Sequence, residues 1–387
     1  MTKACHSQGM HIIGGGIGGL SLALALHRVG VPARVYEQAP TIEPIGAGIG
    51  LWPGALQGLR AIGVAQWFWD LPVCPFRWAE TATPDGRTIT GFDVSGITGG
   101  QGYVVRRSDL LAALREQLPD GAVVTDTRLV GLAQDPDGVE LSFADGTTER
   151  AETVVGADGL RSVVRSALFG EQEPRYSGET AYRGIAEFAV KDPGMMRETQ
   201  GNGWRGAVHP LDAHTVYWWA AHRAPAGVSE DPEQRKDSVM RGVGDWAGGL
   251  PQAVAATSAE AILRNDLYDR DAIPTWTRGR VSLLGDAAHP TTPNLGLGGC
   301  MAIEDAVVLA RAVLQTGAYG PAFAQYEFER HTRTARVVRM SRLMGRSGSL
   351  TNPVAVKVWR SINAVTPARV AASMLAREVG YTPGPLE

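Results

Sequence analysis

The sequence is short of cysteine, of long apolar runs and of any large excess of one charge. Its three cysteines, Cys5, Cys74 and Cys300, are odd in number and far apart. Such a set forms no disulfide framework and has no metal-ligand spacing, so no metal is expected. It fits a reducing compartment, and the expected location is cytoplasmic. No apolar stretch is long enough to span a bilayer. The opening residues, MTKACHSQGMHIIGGG, hold no apolar core of signal-peptide length before the first glycine run. Lys and Arg (37) nearly balance Asp and Glu (40), leaving a formal net charge of −3. That balance points to neither nucleic acid nor an anionic membrane. Arg far outnumbers Lys in the last third, but there the arginines alternate with Glu, Met and Val, the pattern of a solvated helix face.

What is present is an ordinary globular composition, 44% hydrophobic and 20% charged over 387 residues. A chain of this length can bury a sizeable core and still enclose a cavity. Met10-His11-Ile12-Ile13 reads as a buried strand. Residues 17–29 place small and apolar residues at helical spacing and end at Gly30, a plausible cap, and Ala33–Glu37 reads as a second strand. This is a strand–turn–helix–strand unit of the doubly wound kind. Between about 175 and 265, apolar and aromatic runs alternate with turns and read as antiparallel strands, with the stretch around 87–96 joining the same sheet. From 108 to 170 the first pattern returns: an amphipathic helix with Ser108 as N-cap, a hairpin around Asp145-Gly146, and a strand ending in a turn. From about 280 a further strand-then-turn gives way to helix. One domain is therefore expected in separated pieces with the other inserted, and no internal repeat is evident.

Three motifs carry the chemistry. Gly14-Gly15-Gly16-Ile17-Gly18-Gly19 satisfies GxGxxG between a strand and a helix. Gly14 permits the tight turn, Gly16 admits a pyrophosphate to the backbone, and Gly19 allows close helix–strand packing. The helix start then presents free N–H groups to the phosphates. Glu37, about 20 residues on, is placed to accept hydrogen bonds from a ribose. This motif does not by itself separate FAD from NAD. In the second and third motifs an apolar strand ends at Asp158-Gly159 and at Gly285-Asp286. An Asp so placed can hold sugar hydroxyls, but each taken alone reads first as a turn former.

In order and spacing the three motifs resemble the single-component FAD-dependent aromatic hydroxylases, the p-hydroxybenzoate and salicylate hydroxylase family. Over residues 10–345 the likeness is nearest to the short urate and 6-hydroxynicotinate hydroxylase-like members. The segments 46–63, 103–114 and 289–313 match as well. The resemblance implies an α/β chain (α+β overall), with a Rossmann-like FAD-binding domain of the p-hydroxybenzoate hydroxylase type and an inserted antiparallel β-sheet substrate domain. The expected pieces are 1–72, 101–172 and 275–345 for FAD, 73–100 and 173–274 for substrate, and 346–387 as a C-terminal helical segment. It further implies Glu37 at the adenosine ribose, and Gly14, Gly16, Ile17, Gly18 and Gly19 at the pyrophosphate. Arg107 falls at the FAD diphosphate and Asp286 at the ribitol or pyrophosphate. Gly298, Gly299 and Cys300 would offer N–H groups to the flavin pyrimidine edge. Asp158 and Arg161 lie in a motif used for both FAD and NAD(P)H.

The implied reaction uses NADH or NADPH as a transient co-substrate and O2, and hydroxylates a small aromatic or heteroaromatic substrate through a flavin 4a-hydroperoxide. The protein's share is orientation, dryness and charge. Epoxidation or tetracycline-type hydroxylation on the same fold, an oxidase or dehydrogenase, and a non-catalytic FAD-binding protein are the competing readings. Side chains alternate along a strand, so Tyr217 and Trp219 share one face and Trp218 takes the other. Arg183, Arg205 and His209 lie on neighbouring strands, where one of them would pair with an anionic substrate or help deprotonate a hydroxyl; Pro293 belongs to the loop against the flavin. An aromatic run in a strand is also ordinary sheet core, and His209 before Pro210 is also an ordinary turn-end residue. Arg205, His209 and Tyr217 are candidates for catalysis, with no base assigned. A monomer or homodimer is expected.

Overall fold

A computed structural model describes residues 9–41, 47–71 and 73–386. Cys5 and Gly46 lie outside the described residues. Met10–Ile13 is wholly buried and forms the centre of a six-stranded sheet. Ala33–Tyr36 pairs with it on one side and Thr153–Gly156 on the other, both parallel. The strand order reverses at this central strand, and an open α/β sheet has its ligand crevice at such a point, beyond the carboxyl ends of the strands. The registers Ile13↔Tyr36 and Ile13↔Gly156 put Gly14, Glu37 and Ala157 together at that edge. Val281–Leu283 follows Thr153–Gly156 in parallel, so the third motif reaches the same edge. The helix Ile17–Arg28 is buried from Ile17 to Leu26 apart from Gly18, because it packs between this sheet and the helix Gly298–Thr316.

The helix of the middle segment corrects one expectation. It runs Arg107–Glu116 with Arg106 in the N-cap position, not Ser108. Arg106 is extended, the Arg107 N–H donates to Ala47 O at 2.9 Å, and the Ser108 hydroxyl turns to Asp109. Pairing with the strand Gly48–Leu51 fixes where the extended chain stops, and this overrides the local preference of serine for the cap.

The second sheet has seven strands in the order Leu263–Asp269, Arg175–Glu187, Thr215–Arg223, Trp204–Pro210, Met195–Gly201, Trp78–Ala82 and Thr88–Asp93. It is antiparallel apart from one junction, where Met195–Gly201 runs parallel to Trp78–Ala82. Its two faces have different partners. Trp218 is fully buried against the helices Pro232–Val243 and Leu250–Ala256, and its Nε1 donates to Thr257 Oγ1 at 2.8 Å. Tyr217 belongs instead to the core that includes the first sheet. A Cβ on Gly48 would lie 2.4 Å from the Tyr217 ring, so glycine there lets the sheet seat on the strand Gly48–Leu51. The pairs Arg183↔Trp219, Ile185↔Tyr217 and His209↔Tyr217 put all five side chains on this inner face.

The long helix Tyr319–Gly348 and the helices Pro353–Val365 and Ala368–Val379 complete the chain. Trp218→Ala removes a large, fully enclosed side chain on the outer face. We expect it to lower stability by about 3–5 kcal/mol in denaturant titration while FAD content holds in the molecules that remain folded.

Candidate cofactor and substrate site

The glycine turn is shaped by close approach. Gly14 has φ +108°, and a Cβ there would meet Ala157 O at 2.4 Å; one on Gly19 would meet Gly14 O at 1.9 Å. A Cβ on Gly16 would meet no atom of the described residues within 4 Å, so among them this turn leaves its outer side open. Gly18 faces inward, towards Leu284 and Ala302. The helix at Ile17 has no side-chain cap and no acidic residue in its first turn. Its N-terminal N–H groups and partial positive charge are therefore available to an anion. Glu37 accepts from Gly15 N at 2.7 Å and from Ala39 N at 2.8 Å, which fixes its carboxylate beside the turn.

The helix Gly298–Thr316 also begins without a side-chain cap or an acid. A Cβ on Gly299 would lie 2.5 Å from Ile49 and 3.7 Å from Ile17, so the two uncapped helix starts are neighbours. Cys300 is buried and donates to Gly50 O at 3.3 Å. Burial pushes its thiol up to about 12, so the side chain is an inert packing group. Asp286 is solvent-accessible yet walled in by the chain, and it accepts no hydrogen bond from the described residues. Desolvation raises its pKa, opposed by the charges of His289 and Arg107. Its Oδ1 would be 3.9 Å from a Cβ on Gly298, and Arg107 is exposed nearby. Glu37 thus lies beside the first of these helix starts, and Asp286, with Arg107 near it, beside the second, a set of donors and acceptors suited to a dinucleotide.

Asp158 is occupied differently. It accepts from Ser162 Oγ at 2.5 Å and from Val163 N and Val164 N at 2.8 and 3.1 Å, and so holds the first two N–H groups of the helix Val163–Phe169, whose N-cap is Ser162. Its neighbour Arg161 lies over the Tyr268 ring at 5.9 Å.

Residues outside the expected set hold the Asp286 turn. Asp305 accepts from Gly285 N at 3.2 Å and Arg330 Nε at 2.6 Å, and meets His289 Nε2 at 2.6 Å. Burial pushes the Asp305 carboxyl up, but the charges of His289 and Arg330 hold it at about 2. Buried Arg165, from the second motif, donates to Ala287 O and Ala288 O at 3.1 and 3.0 Å. The signal available in the sequence was the pair Glu304-Asp305 within an otherwise apolar helix, since buried carboxylates need partners.

On the inner face of the second sheet, Arg205 is buried and ion-paired to Glu179 at 3.3 Å. It also donates to Asn294 in the turn Pro293–Leu295 and lies over the Trp219 ring at 5.3 Å. Arg205 therefore ties the sheet to the loop that carries Pro293. His209 is buried, and desolvation lowers its pKa to about 4. Trp219 Nε1 donates to its Nε2 at 3.3 Å, which places the ring proton on Nδ1, a buried atom without a partner in the described chain. Arg183 is half-buried and makes no hydrogen bond or ion pair among the described residues. It is near enough to Tyr217 to act on the phenol, whose pKa burial raises and Arg183 lowers.

A doubly wound sheet with an uncapped glycine turn at its switch point, packed against a second sheet, has the form of a dinucleotide-binding protein. A family profile described as "FAD binding domain" matches residues 8–341. The chain is 35% identical over 383 residues to the aurachin C monooxygenase/isomerase of Stigmatella aurantiaca, covering 96% of this chain and 98% of that one. It is 32% identical to the FAD-dependent urate hydroxylase of Klebsiella pneumoniae, covering 86% and 88%. The crystal structure of Klebsiella pneumoniae HpxO complexed with FAD and uric acid superposes with a TM-score of 0.90 at 28% identity, covering 99% of each chain. The chain belongs to this family, the single-component FAD-dependent aromatic hydroxylases, and its cofactor is FAD.

Two predictions follow from this geometry. Asp286→Ala should lose most bound FAD, read from the flavin absorbance of purified protein. Asp145→Ala should retain it, because Asp145 only accepts from Thr147 in an exposed hairpin turn; equal occupancy in the two variants would refute the role of Asp286. The second concerns pH. His209 has a lowered pKa in the folded state, so its contribution to stability is full above 6.5 and is lost as pH falls towards 4. At about 1.4 kcal/mol per pH unit this amounts to roughly 3 kcal/mol. His209→Gln should therefore lose less melting temperature than the parent between pH 7 and pH 5.

Proposed function

We propose that this chain is an NAD(P)H-dependent monooxygenase that adds one oxygen atom of O2 to a small, electron-rich aromatic or heteroaromatic substrate carrying negative charge. The observation that carries the reading is the inner face of the second sheet: Arg183, which has no hydrogen-bond or ion-pair partner among the described residues, beside Tyr217, Trp219 and the Nδ1 of neutral His209, seated on the FAD-binding domain.

In this reading Gly14, Gly16 and the helix start from Ile17 to Gly19 hold the pyrophosphate. Glu37 takes the adenosine ribose, while Arg107 and Asp286 bind the diphosphate and ribitol region. The backbone N–H groups of Gly298, Gly299 and Cys300 face the pyrimidine edge, where a positive helix end favours negative charge. The bound flavin, reduced by NAD(P)H, supplies the oxygen-transfer chemistry. The rest falls to the chain's own residues. Tyr217 and Trp219 form an apolar wall that excludes water from the substrate ring. Arg183 pairs with a carboxylate or an ionised hydroxyl and fixes the ring's orientation. Neutral His209 donates from Nδ1 and does not supply a cation. Arg205 positions the Pro293–Leu295 turn through Asn294, and Asp158 holds the turn of the second motif.

The test is substrate-stimulated NAD(P)H oxidation across hydroxybenzoates, hydroxypyridines, purines and quinolones, with oxygenated product counted against peroxide. Product should approach the NAD(P)H consumed for the true substrate. Peroxide in stoichiometric yield with every compound would make the protein an oxidase. A charged hydrogen bond is worth about 1.5–3 kcal/mol, so Arg183→Gln should raise KM for an anionic substrate roughly ten- to hundredfold, with FAD content unchanged.

A further inference from the structure

The helices Pro353–Val365 and Ala368–Val379 lie against the edge strand Thr88–Asp93 of the second sheet. Leu375 and Val379 pack inward, and Trp359 is half-buried. The outward side of the first helix is apolar. Val354, Val358, Ile362 and Val365 are 71%, 53%, 52% and 78% exposed. At 100° per residue these four positions fall within about 80° of one another and form one continuous stripe. Val370 and Met374, one turn apart on the second helix, are 42% and 53% exposed. Water-facing β-branched residues in such a row are not accounted for by folding of this chain alone.

On the two helices themselves the exposed charge is of one sign, because Glu378 is buried and paired to Arg336. No Asp or Glu stands between Glu329 and Glu378, although the whole chain carries −3. Lys357, Arg369 and Arg377 are exposed and form no ion pair among the described residues. Lys357 is about 60° from Val354 around the helix, and Arg377 is within about 60° of Met374 on the next one, so cations flank the apolar side. An apolar stripe bordered by cations, on helices too short to cross a bilayer, has the form of an interfacial membrane anchor.

We propose that these two helices dock the protein on the surface of an anionic phospholipid bilayer, with the valine–isoleucine stripe among the acyl chains and Lys357, Arg369 and Arg377 at the headgroup phosphates. A second copy of the chain is the other occupant to weigh. A two-fold interface would bring the same cations face to face with no carboxylate between them, whereas an anionic headgroup layer complements them, each basic residue near the surface adding about 1 kcal/mol. The bilayer would then meet the second sheet at its Thr88–Asp93 edge.

The experiment is flotation of the FAD-loaded, full-length protein through a density gradient with vesicles. One set is an equimolar mixture of phosphatidylglycerol and phosphatidylcholine, the other phosphatidylcholine alone, each at 0.1 M and 0.5 M salt. The expected result is at least tenfold more protein with the anionic vesicles at low salt and a clear loss at high salt, where screening is stronger. Val358→Asp/Ile362→Asp should abolish flotation, and Lys357→Glu/Arg369→Glu should reduce it at least tenfold. All four substituted residues are exposed, so flavin absorbance and melting temperature should match the parent. Flotation with neither vesicle, equal flotation with both, or undiminished flotation of the double aspartate variant overturns the proposal. So does a dimer in light scattering that the aspartate variant converts to monomer without any vesicle binding, which would make the stripe a contact between copies. None of these readouts depends on turnover, so the oxygenase reading stands or falls separately.

Discussion

The site depends on one buried carboxylate. Asp305 holds the Gly285 N–H, His289 and Arg330 at once, and so determines where the strand Val281–Leu283 turns and where Asp286 projects. A buried acid is tolerated only when its lone pairs are satisfied and its charge is met, and here both conditions hold. The network continues through Arg330 to Glu304 at 2.7 Å and from Glu304 to Arg333 at 3.2 Å. Tyr381 lies over both guanidinium groups, at 4.6 and 4.4 Å. The C-terminal tail is thereby tied to the turn that carries Asp286, although nearly a hundred residues separate Tyr381 from Asp286.

The roof is held by a second buried pair with a different task. Arg205 and Glu179 come from two strands of the second sheet, and Arg205 reaches across to Asn294 in the turn beside the helix Gly298–Thr316. Asn294 in turn donates to Ser341 O on the long helix at 2.8 Å. Sheet, Pro293–Leu295 turn and long helix share this junction. Breaking one partner would leave the other charge buried, a loss typically of about 3–5 kcal/mol. The division of labour between the two arginines of the inner face follows: Arg205 is a structural cation, and Arg183 is the one with donors to offer.

The glycine turn, its flanking strand and helix, and the position of an acidic residue after the second strand were legible from spacing alone, because a tight strand-to-helix turn constrains consecutive residues. The face division at Tyr217, Trp218 and Trp219 was legible for the same kind of reason, since alternation is a property of any extended strand. Ser108 shows the limit of local rules: a backbone hydrogen bond from Arg107 to Ala47 moved the helix start against side-chain preference. The parallel junction between Met195–Gly201 and Trp78–Ala82 was beyond reach too, since nothing in either segment records a neighbour more than a hundred positions away.

What the sequence determined by itself was the chemistry that neighbours in the chain can specify: the dinucleotide turn, the order of three strand-end motifs, and which side chains of the aromatic strand face together. Tertiary structure decided which charges remain available. Arg183 and Arg205 look alike in sequence, as do Asp158 and Asp286. Arg205 meets Glu179 and Asp158 meets the start of its own helix, whereas Arg183 and Asp286 meet no such partner among the described residues. The reason is that a charged group's role depends on what lies within about 4 Å of it, and for most of these groups that neighbour comes from a distant part of the chain.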